Sequence, residues 1–289
     1  MSDVVQELVE LLNLETIEHN LFRGQNRDIG GRSVFGGQVV GQALMAALRT
    51  LDENRQTHSL HAYFLRPGDM RAPIVYEVVR IRDGGSFTTR NVVAIQHGEA
   101  IFSMSVSFQR PEKGLEHQCA EMPNVPAPEA LESEHDIRRR LVDRIDERVR
   151  GIFLRPRPIE IRPVDPVDFF QPDAREPKKQ IWFRAPGQLP DDRALHHALL
   201  AYASDFALLG TGMLPHKLSF LDPNVHAASL DHAIWFHHSF RMDDWLLYSM
   251  ESPCAAHARS FNRGQIFSRD GRLVASVSQE GLMRARRKP

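Results

Sequence analysis

The sequence predicts an α+β fold built from two copies of one unit, each an antiparallel sheet wrapped around a long apolar helix. Three observations predict it. First, the same order of segments (helix, long strand, strand, hairpin, strand) runs twice along the 289 residues, with a period of roughly 160–170 residues. Second, each half holds one long apolar stretch of helical character, GGQVVGQALMAALRT at 36–50 and RALHHALLAYASDFALL at 193–209. Third, each half closes on a glycine-marked hairpin followed by an alternating strand: Gly98 leads into EAIFSMSVSF, and Asp270-Gly271 leads into RLVASVSQ.

The elements follow in order. The N-terminal MSDVVQELVELLNLETIEHN is acidic and amphipathic, without the basic start and apolar core of a signal peptide. After the first apolar helix come the strands SLHAYFL at 59–65 and NVVAIQ at 91–96, then the closing strand, whose Phe102, Met104, Val106 and Phe108 share one apolar face. The first unit spans 1–112. Residues 113–150 are a Pro- and Glu-rich linker followed by HDIRRRLVDRIDERVRG, in which Ile137, Leu141, Ile145 and Val149 recur every four residues. That spacing predicts one packed connecting helix with a solvated charged face. The second unit, 151–289, opens with the proline-punctuated IFLRPRPIEIRPV and the strand KKQIWFRAPG. It continues through the second apolar helix, SLDHAIWF at 229–236, GQIFS at 264–268 and the final strand. The two sheets are expected to join edge to edge.

Composition excludes several function classes. Hydrophobic residues make up 42% and charged residues 25%, as in a soluble globular protein. The net charge is −1, and no long basic block lies outside the short tail Arg284, Arg286, Arg287, Lys288, so nucleic acid is not an expected partner. Cys119 and Cys254 form no CxxC and no zinc spacing, which points to a reducing, cytoplasmic setting without a disulfide framework. No apolar run is expected to reach membrane-spanning length, so no stable membrane association is expected. Asp231, His232, His237 and His238 cluster in sequence, but no HExxH or Cys/His spacing accompanies them, and neither metal nor cofactor is predicted.

Two polar residues stand where core is expected. Asp205 is the only formally charged residue between Ala194 and Leu214, and its neighbours at helical spacing, Ala201, Tyr202, Leu208 and Leu209, offer no counter-charge. An isolated carboxylate there would have its ionised form penalised and its pKa raised, which suits a proton-transferring group. The alternative is an acid at a helix end that points to water. Gln279 continues the inward row of Leu273, Ala275 and Val277. Aligning the SVS triplets sets it against Phe108, and aligning the hairpin glycines sets it against Val106. Either way one half carries a polar site where the other reads as plain core.

These segments, together with LFRGQ at 21–25, VFGGQVVGQAL at 34–44, HSLHAYFLRPGD at 58–69, RDGGSFTTR at 82–90, PDDRALHHALLAYASD at 190–205, ASLDHAIWFHHSF at 228–240, WLLYSMESP at 245–253 and SQEGLMR at 278–284, resemble the acyl-CoA thioesterase II family. The resemblance covers nearly the whole chain in motif order. It implies two fused hot-dog domains, hydrolysis of acyl-CoA thioesters to fatty acid and CoA, association into homodimers or homotetramers, and a catalytic trio of Asp205, Ser229 and Gln279. The chemistry of the residues fits: Asp205 can deprotonate a water, Gln279 offers a donor and an acceptor without titrating, and Ser229 supplies a hydroxyl. Free N–H groups at Gly36-Gly37, which begin the first apolar helix, could hold the oxyanion, or the glycines could serve only tight packing.

Other readings stay open. Ser229 with His232 as base would make a serine esterase, although no GxSxG elbow exists and positions 229 and 232 lie on opposite faces of a strand. A hydratase or dehydratase on the same fold would pair Asp205 with His196 or His197. A non-catalytic acyl-CoA-binding module would keep the trio as a satisfied network. Arg66, Arg82 and Arg90 are candidates to meet CoA phosphates.

Overall fold

Alternating apolar residues and tight turns build one antiparallel sheet of thirteen strands in the computed structural model, which describes residues 3–31, 33–52 and 54–285. The first half contains α1 (Asp3–Leu12), β1 (Glu15–Glu18), β2 (Leu21–Gly24), α2 (Gly36–Leu48), β3 (Gln56–Phe64), β4 (Ile74–Asp83), β5 (Phe87–Gln96) and β6 (Glu99–Gln109). Two short helices follow, α3 (Glu134–Leu141) and α4 (Glu147–Phe153). The second half contains β7 (Glu160–Pro163), β8 (Lys178–Arg184), α5 (Arg193–Ser204), α6 (Leu208–Met213), β9 (Val225–Ser229), β10 (Asp231–Phe236), β11 (Leu246–Ala256), β12 (Arg259–Ser268) and β13 (Leu273–Ala285). The basic tail residues Arg286, Arg287 and Lys288, and the side chain of Val149, lie outside the described residues.

Strand order exposes the duplication. It runs β1-β2-β4-β5-β6-β3 and then β10-β13-β12-β11-β8-β7, with β9 also pairing β13. Each strand of the first half thus has a counterpart at the mirrored place in the second. The halves meet where β3 pairs with β10, Leu60 opposite Ile234, so the sheets do join edge to edge. Even the irregularities repeat. A register shift falls after Ala94·Phe102 in the first half and after Ile266·Ala275 in the second. Counting four residues back from that bulge, the pair Arg90·Val106 corresponds to Asn262·Gln279. Gln279 therefore stands in place of Val106, not of Phe108. The hairpins close on His97 (φ 51°) and Gly98 (φ 77°), and on Gly271 (φ 87°), backbone that the twist of paired strands demands and glycine tolerates.

The concave side of the sheet wraps α2 and α5, two fused hot-dog units sharing one core. The α5 helix starts on Asp192, whose side chain accepts the N–H groups of Ala194 and Leu195. The two helices approach each other through glycine. A Cβ added at Gly37 would stand 2.2 Å from the Tyr202 carbonyl oxygen, and one at Gly41 3.1 Å from that of Ala198. Glycines four apart share one face of α2, so that face meets the α5 backbone directly.

Three expectations need correction. The second apolar helix does not run unbroken to 209: α5 ends at Ser204, Asp205 is its C-cap, and Ala207 turns left-handed (φ 67°) before α6 begins. The connecting helix is also two helices. Ser133 caps α3 by accepting the Asp136 N–H, and Asp146 restarts the chain as α4 by accepting the Arg148 N–H. Of the four-residue stripe, Ile137 and Ile145 are buried and Leu141 is half-buried. Finally, residues 193–216 do have the length and apolarity of a membrane span, yet 78% of that window is buried within the protein and the segment is broken at Asp205–Ala207.

Burial holds His197 neutral. Its ring lies parallel to those of Phe236 and Phe240, with centroids 4.6 and 5.5 Å away. Desolvation first, and the nearby charges of Arg193 and His196 after it, push its pKa down to about 3. The unfolded chain titrates near 6.5, so protons favour the unfolded state and stability is lost as pH falls through that value. His197→Phe keeps the ring stack and removes the proton site. The expected outcome is a loss of unfolding free energy between pH 7 and pH 5 that is smaller than in the parent by about 2 kcal/mol, read from denaturant titrations at both pH values.

Candidate active site

Asp205 sits where three elements converge. It ends α5, it precedes the left-handed turn into α6, and its carboxylate faces the first turn of α2 from the other half of the chain. A carboxylate at the C-terminus of its own helix is disfavoured by the helix dipole, whereas the N-terminus of α2 attracts it. The Gly37 N–H donates to Asp205 Oδ2 at 2.8 Å. Gly36 supplies the room: a Cβ there would lie 2.8 Å from the same oxygen and 3.0 Å from the Phe64 ring. A left-handed alanine at 207 costs on the order of 1 kcal/mol, and it is the bend that turns the chain away immediately after the carboxylate.

The other carboxylate oxygen receives the two remaining predicted site residues. Gln279 Nε2 donates to Asp205 Oδ1 at 2.7 Å, and Ser229 Oγ donates to the same atom at 3.4 Å. The structure therefore brings Asp205, Ser229 and Gln279 together. Gln279 is fully buried on the inward row of β13, and among the described residues its Oε1 accepts no hydrogen bond. Ser229 is half-buried at the end of β9, opposite Gly281 of β13, just before the chain bends into β10. Asp205 is thus neither the unpartnered acid that its apolar segment implied nor an acid pointing freely into water. It accepts from three donors, one from the other half of the molecule.

Sequence reasoning placed His232 in this region only as a base for Ser229. No hydrogen bond joins those two. His232 is buried on β10, with Nδ1 3.1 Å from Gln279 Nε2 and Nε2 2.8 Å from Ser204 Oγ. Burial lowers its pKa, against the smaller opposing pull of the Asp205 charge. Ser204 itself was not anticipated: its Oγ donates to the Ala201 carbonyl, and its own carbonyl accepts the Tyr248 hydroxyl at 3.1 Å. Asn262, across from Gln279 on β12, donates to the Gln279 carbonyl at 3.3 Å. Tyr248 and Asn262 carried no local signal, because their partners come from distant segments.

Other sequence candidates lie elsewhere. His196 Nδ1 accepts the Met242 N–H and His197 stacks on phenylalanines, both toward the start of α5, so neither pairs with Asp205. Asp231 accepts the Glu280 N–H and His237 meets Ser276, so the histidine cluster disperses; among the described residues no group of three or more His, Cys, Asp or Glu is placed to hold a metal. Arg66 pairs with Glu99 on the surface. Arg90 is not available to a phosphate. It is buried, with its guanidinium bonded to Thr50 Oγ1 (2.9 Å), the Thr50 carbonyl and Asp83 (2.5 Å). Arg90 is the counterpart of Asn262, so a satisfied arginine fills that position in the first half, while the counterpart of Gln279, Val106, is buried core. Gly37, finally, commits its N–H to Asp205, so that group does not serve an oxyanion.

Comparison with known proteins now decides the family. Residues 149–282 match the acyl-CoA thioesterase family model, and residues 25–109 match that of the acyl-CoA thioesterase N-terminal domain. The chain is 43% identical to acyl-CoA thioesterase 2 of Haemophilus influenzae over 98% of its own length and 99% of the relative's. The chain belongs to the acyl-CoA thioesterase II family. It is likewise 42% identical to human acyl-coenzyme A thioesterase 8, over 96% of this chain and 88% of that one. Among solved structures, an acyl-CoA thioesterase II from Mycobacterium marinum superposes with a TM-score of 0.79 at 41% identity, covering 98% of this chain and 100% of the other. A hot-dog-fold protein from Alicyclobacillus acidocaldarius, at 20% identity and TM-score 0.78 over 97% of this chain and 99% of that one, shares the fold.

In this family member the carboxylate depends on the crossing of α2 and α5. Gly37→Ala would push a methyl onto the Tyr202 carbonyl, a backbone atom that cannot swing aside. The expected outcome is a loss of about 1–3 kcal/mol of stability, read from the denaturant midpoint, with reduced thioester turnover in the fraction that folds.

Proposed function

We propose that this chain hydrolyses fatty acyl-CoA thioesters to free acid and CoA by direct attack of water, with Asp205 as base and Ser229 and Gln279 orienting the water. The observation that carries the reading is the convergence of three donors on one carboxylate: Gly37 N–H on Oδ2, and Gln279 Nε2 and Ser229 Oγ on Oδ1. A carboxylate offers about four acceptor sites, so roughly one remains to take a proton from water. The buried Gln279 Oε1, to which none of the described residues donates, can accept the other proton of the same water. The water oxygen adds to the thioester carbonyl carbon as its proton passes to Asp205. The tetrahedral oxyanion then collapses, the carbon–sulfur bond breaks, and Asp205 returns the proton to the departing thiolate. The names of the relatives, acyl-CoA thioesterase 2 and acyl-coenzyme A thioesterase 8, support the substrate class.

Asp205→Asn preserves shape and removes the base. The expected outcome is unchanged circular dichroism and a fall in kcat of about 100- to 10,000-fold, measured as free thiol released from a series of acyl-CoAs. Wild-type turnover by folded Asp205→Asn protein would exclude Asp205 as the base.

A further inference from the structure

Gln279 can act in this reaction only if its amide keeps one orientation, and the groups around it differ in when they can enforce it. Nε2 carries two hydrogens, and each has an acceptor: Asp205 Oδ1 at 2.7 Å and His232 Nδ1 at 3.1 Å. That leaves Oε1 as the free acceptor beside the carboxylate. While Asp205 is ionised, it opposes a flip together with His232, because a flipped amide would set Oε1 against a carboxylate oxygen as well as against Nδ1. Once Asp205 has taken the proton of water it is itself a donor, and it would welcome Oε1. From that moment until the proton is returned, only His232 holds the amide.

The ring can do so only in one tautomer. Ser204 Oγ donates its hydrogen to the Ala201 carbonyl at 2.9 Å, so toward His232 it is an acceptor, and the Nε2 that faces it at 2.8 Å carries the proton. Nδ1 is then bare and accepts from Gln279. The backbone of α5 thereby sets the imidazole, and the imidazole sets the amide. The groups facing the ring are Ser204 from the end of α5, Gln279 from β13 and the Asp205 charge, with Tyr248 of β11 holding the Ser204 carbonyl in place.

We infer that His232 is a positioning residue: through a bare Nδ1 it holds the Gln279 amide with Oε1 toward the reacting water, including while Asp205 carries the proton, and it touches no substrate itself. This rests on the hydrolysis proposed above. It separates His232 from the role of base for a serine nucleophile, because a base would need Nε2 or Nδ1 free for Ser229, and both are engaged elsewhere.

Two variants of nearly equal shape test it. His232→Asn places a carbonyl oxygen at the branch position that Nδ1 occupies and so keeps an acceptor for Gln279. His232→Leu fills the same volume without one. The expected result is a kcat about 100-fold below the parent for His232→Leu, with KM unchanged, and recovery to within about threefold of the parent for His232→Asn. Equal kcat values in the two variants, whether both high or both low, would overturn the inference. Should His232→Leu fail to fold, the parent protein decides by itself. Nitrogen-15 NMR of the labelled histidines, with His232 assigned by its absence in His232→Asn, is expected to show Nε2 protonated and Nδ1 bare at neutral pH. A proton on Nδ1 would overturn the inference. Loss of acyl-CoA turnover in the parent would instead count against the hydrolysis reading, since the ring tautomer is measured without substrate.

Discussion

The contact between the Gly37 N–H and Asp205 Oδ2 ties the two halves of this molecule to one chemical purpose. A carboxylate that ends α5 has to find positive potential somewhere, and its own helix offers the opposite. The other half supplies it at the start of α2. That supply requires the two central helices to cross closely enough for backbone to meet backbone, and Gly37 and Gly41 are what permit it. The edge-to-edge pairing of β3 with β10 fixes the two helices in that relation. Sheet pairing, helix crossing and carboxylate placement are one constraint seen at three scales.

The duplication shows how two units of one design differ at matching positions. Bulges at matching places put Asn262 and Gln279 where the first half has Arg90 and Val106. Arg90 is satisfied by Thr50 and Asp83 and fills its position. Asn262 is shorter and leaves its Oδ1, like the Oε1 of Gln279, without a donor among the described residues. Buried acceptors without donors cost stability, and such costs concentrate where chemistry needs a polar group ready. The left-handed backbone at Ala207 is a further local cost in the same place.

Much of this was legible in the sequence, for identifiable reasons. Strands and hairpins follow from period-2 alternation and from Gly98 and Gly271, which are local signals. Asp205 and Gln279 stood out because each interrupts an apolar pattern, and Ser229 came from the family resemblance. What stayed hidden depends on distant partners. Gly37 and Asp205 are 168 residues apart, and His232 lies 47 residues from Gln279. His232 in a strand reads as one more buried ring until its two nitrogens are seen to face Ser204 and Gln279. The break after Asp205 has no marker either, since alanine is an ordinary helix former and only tertiary packing bends it at 207. The split of the connector, by contrast, was announced by Ser133 and Asp146, cap-forming residues that the four-residue stripe obscured.

The central claim is that Asp205 is a base acting on water and not itself the attacking nucleophile. Single-turnover hydrolysis with enzyme in excess over acyl-CoA, run in water enriched in oxygen-18, addresses it directly. The account predicts heavy oxygen in the released acid from the first turnover and none in the peptide that contains Asp205. Unlabelled acid in that first turnover, with the heavy oxygen in the Asp205 carboxylate and reaching the acid only on further cycles, would contradict it.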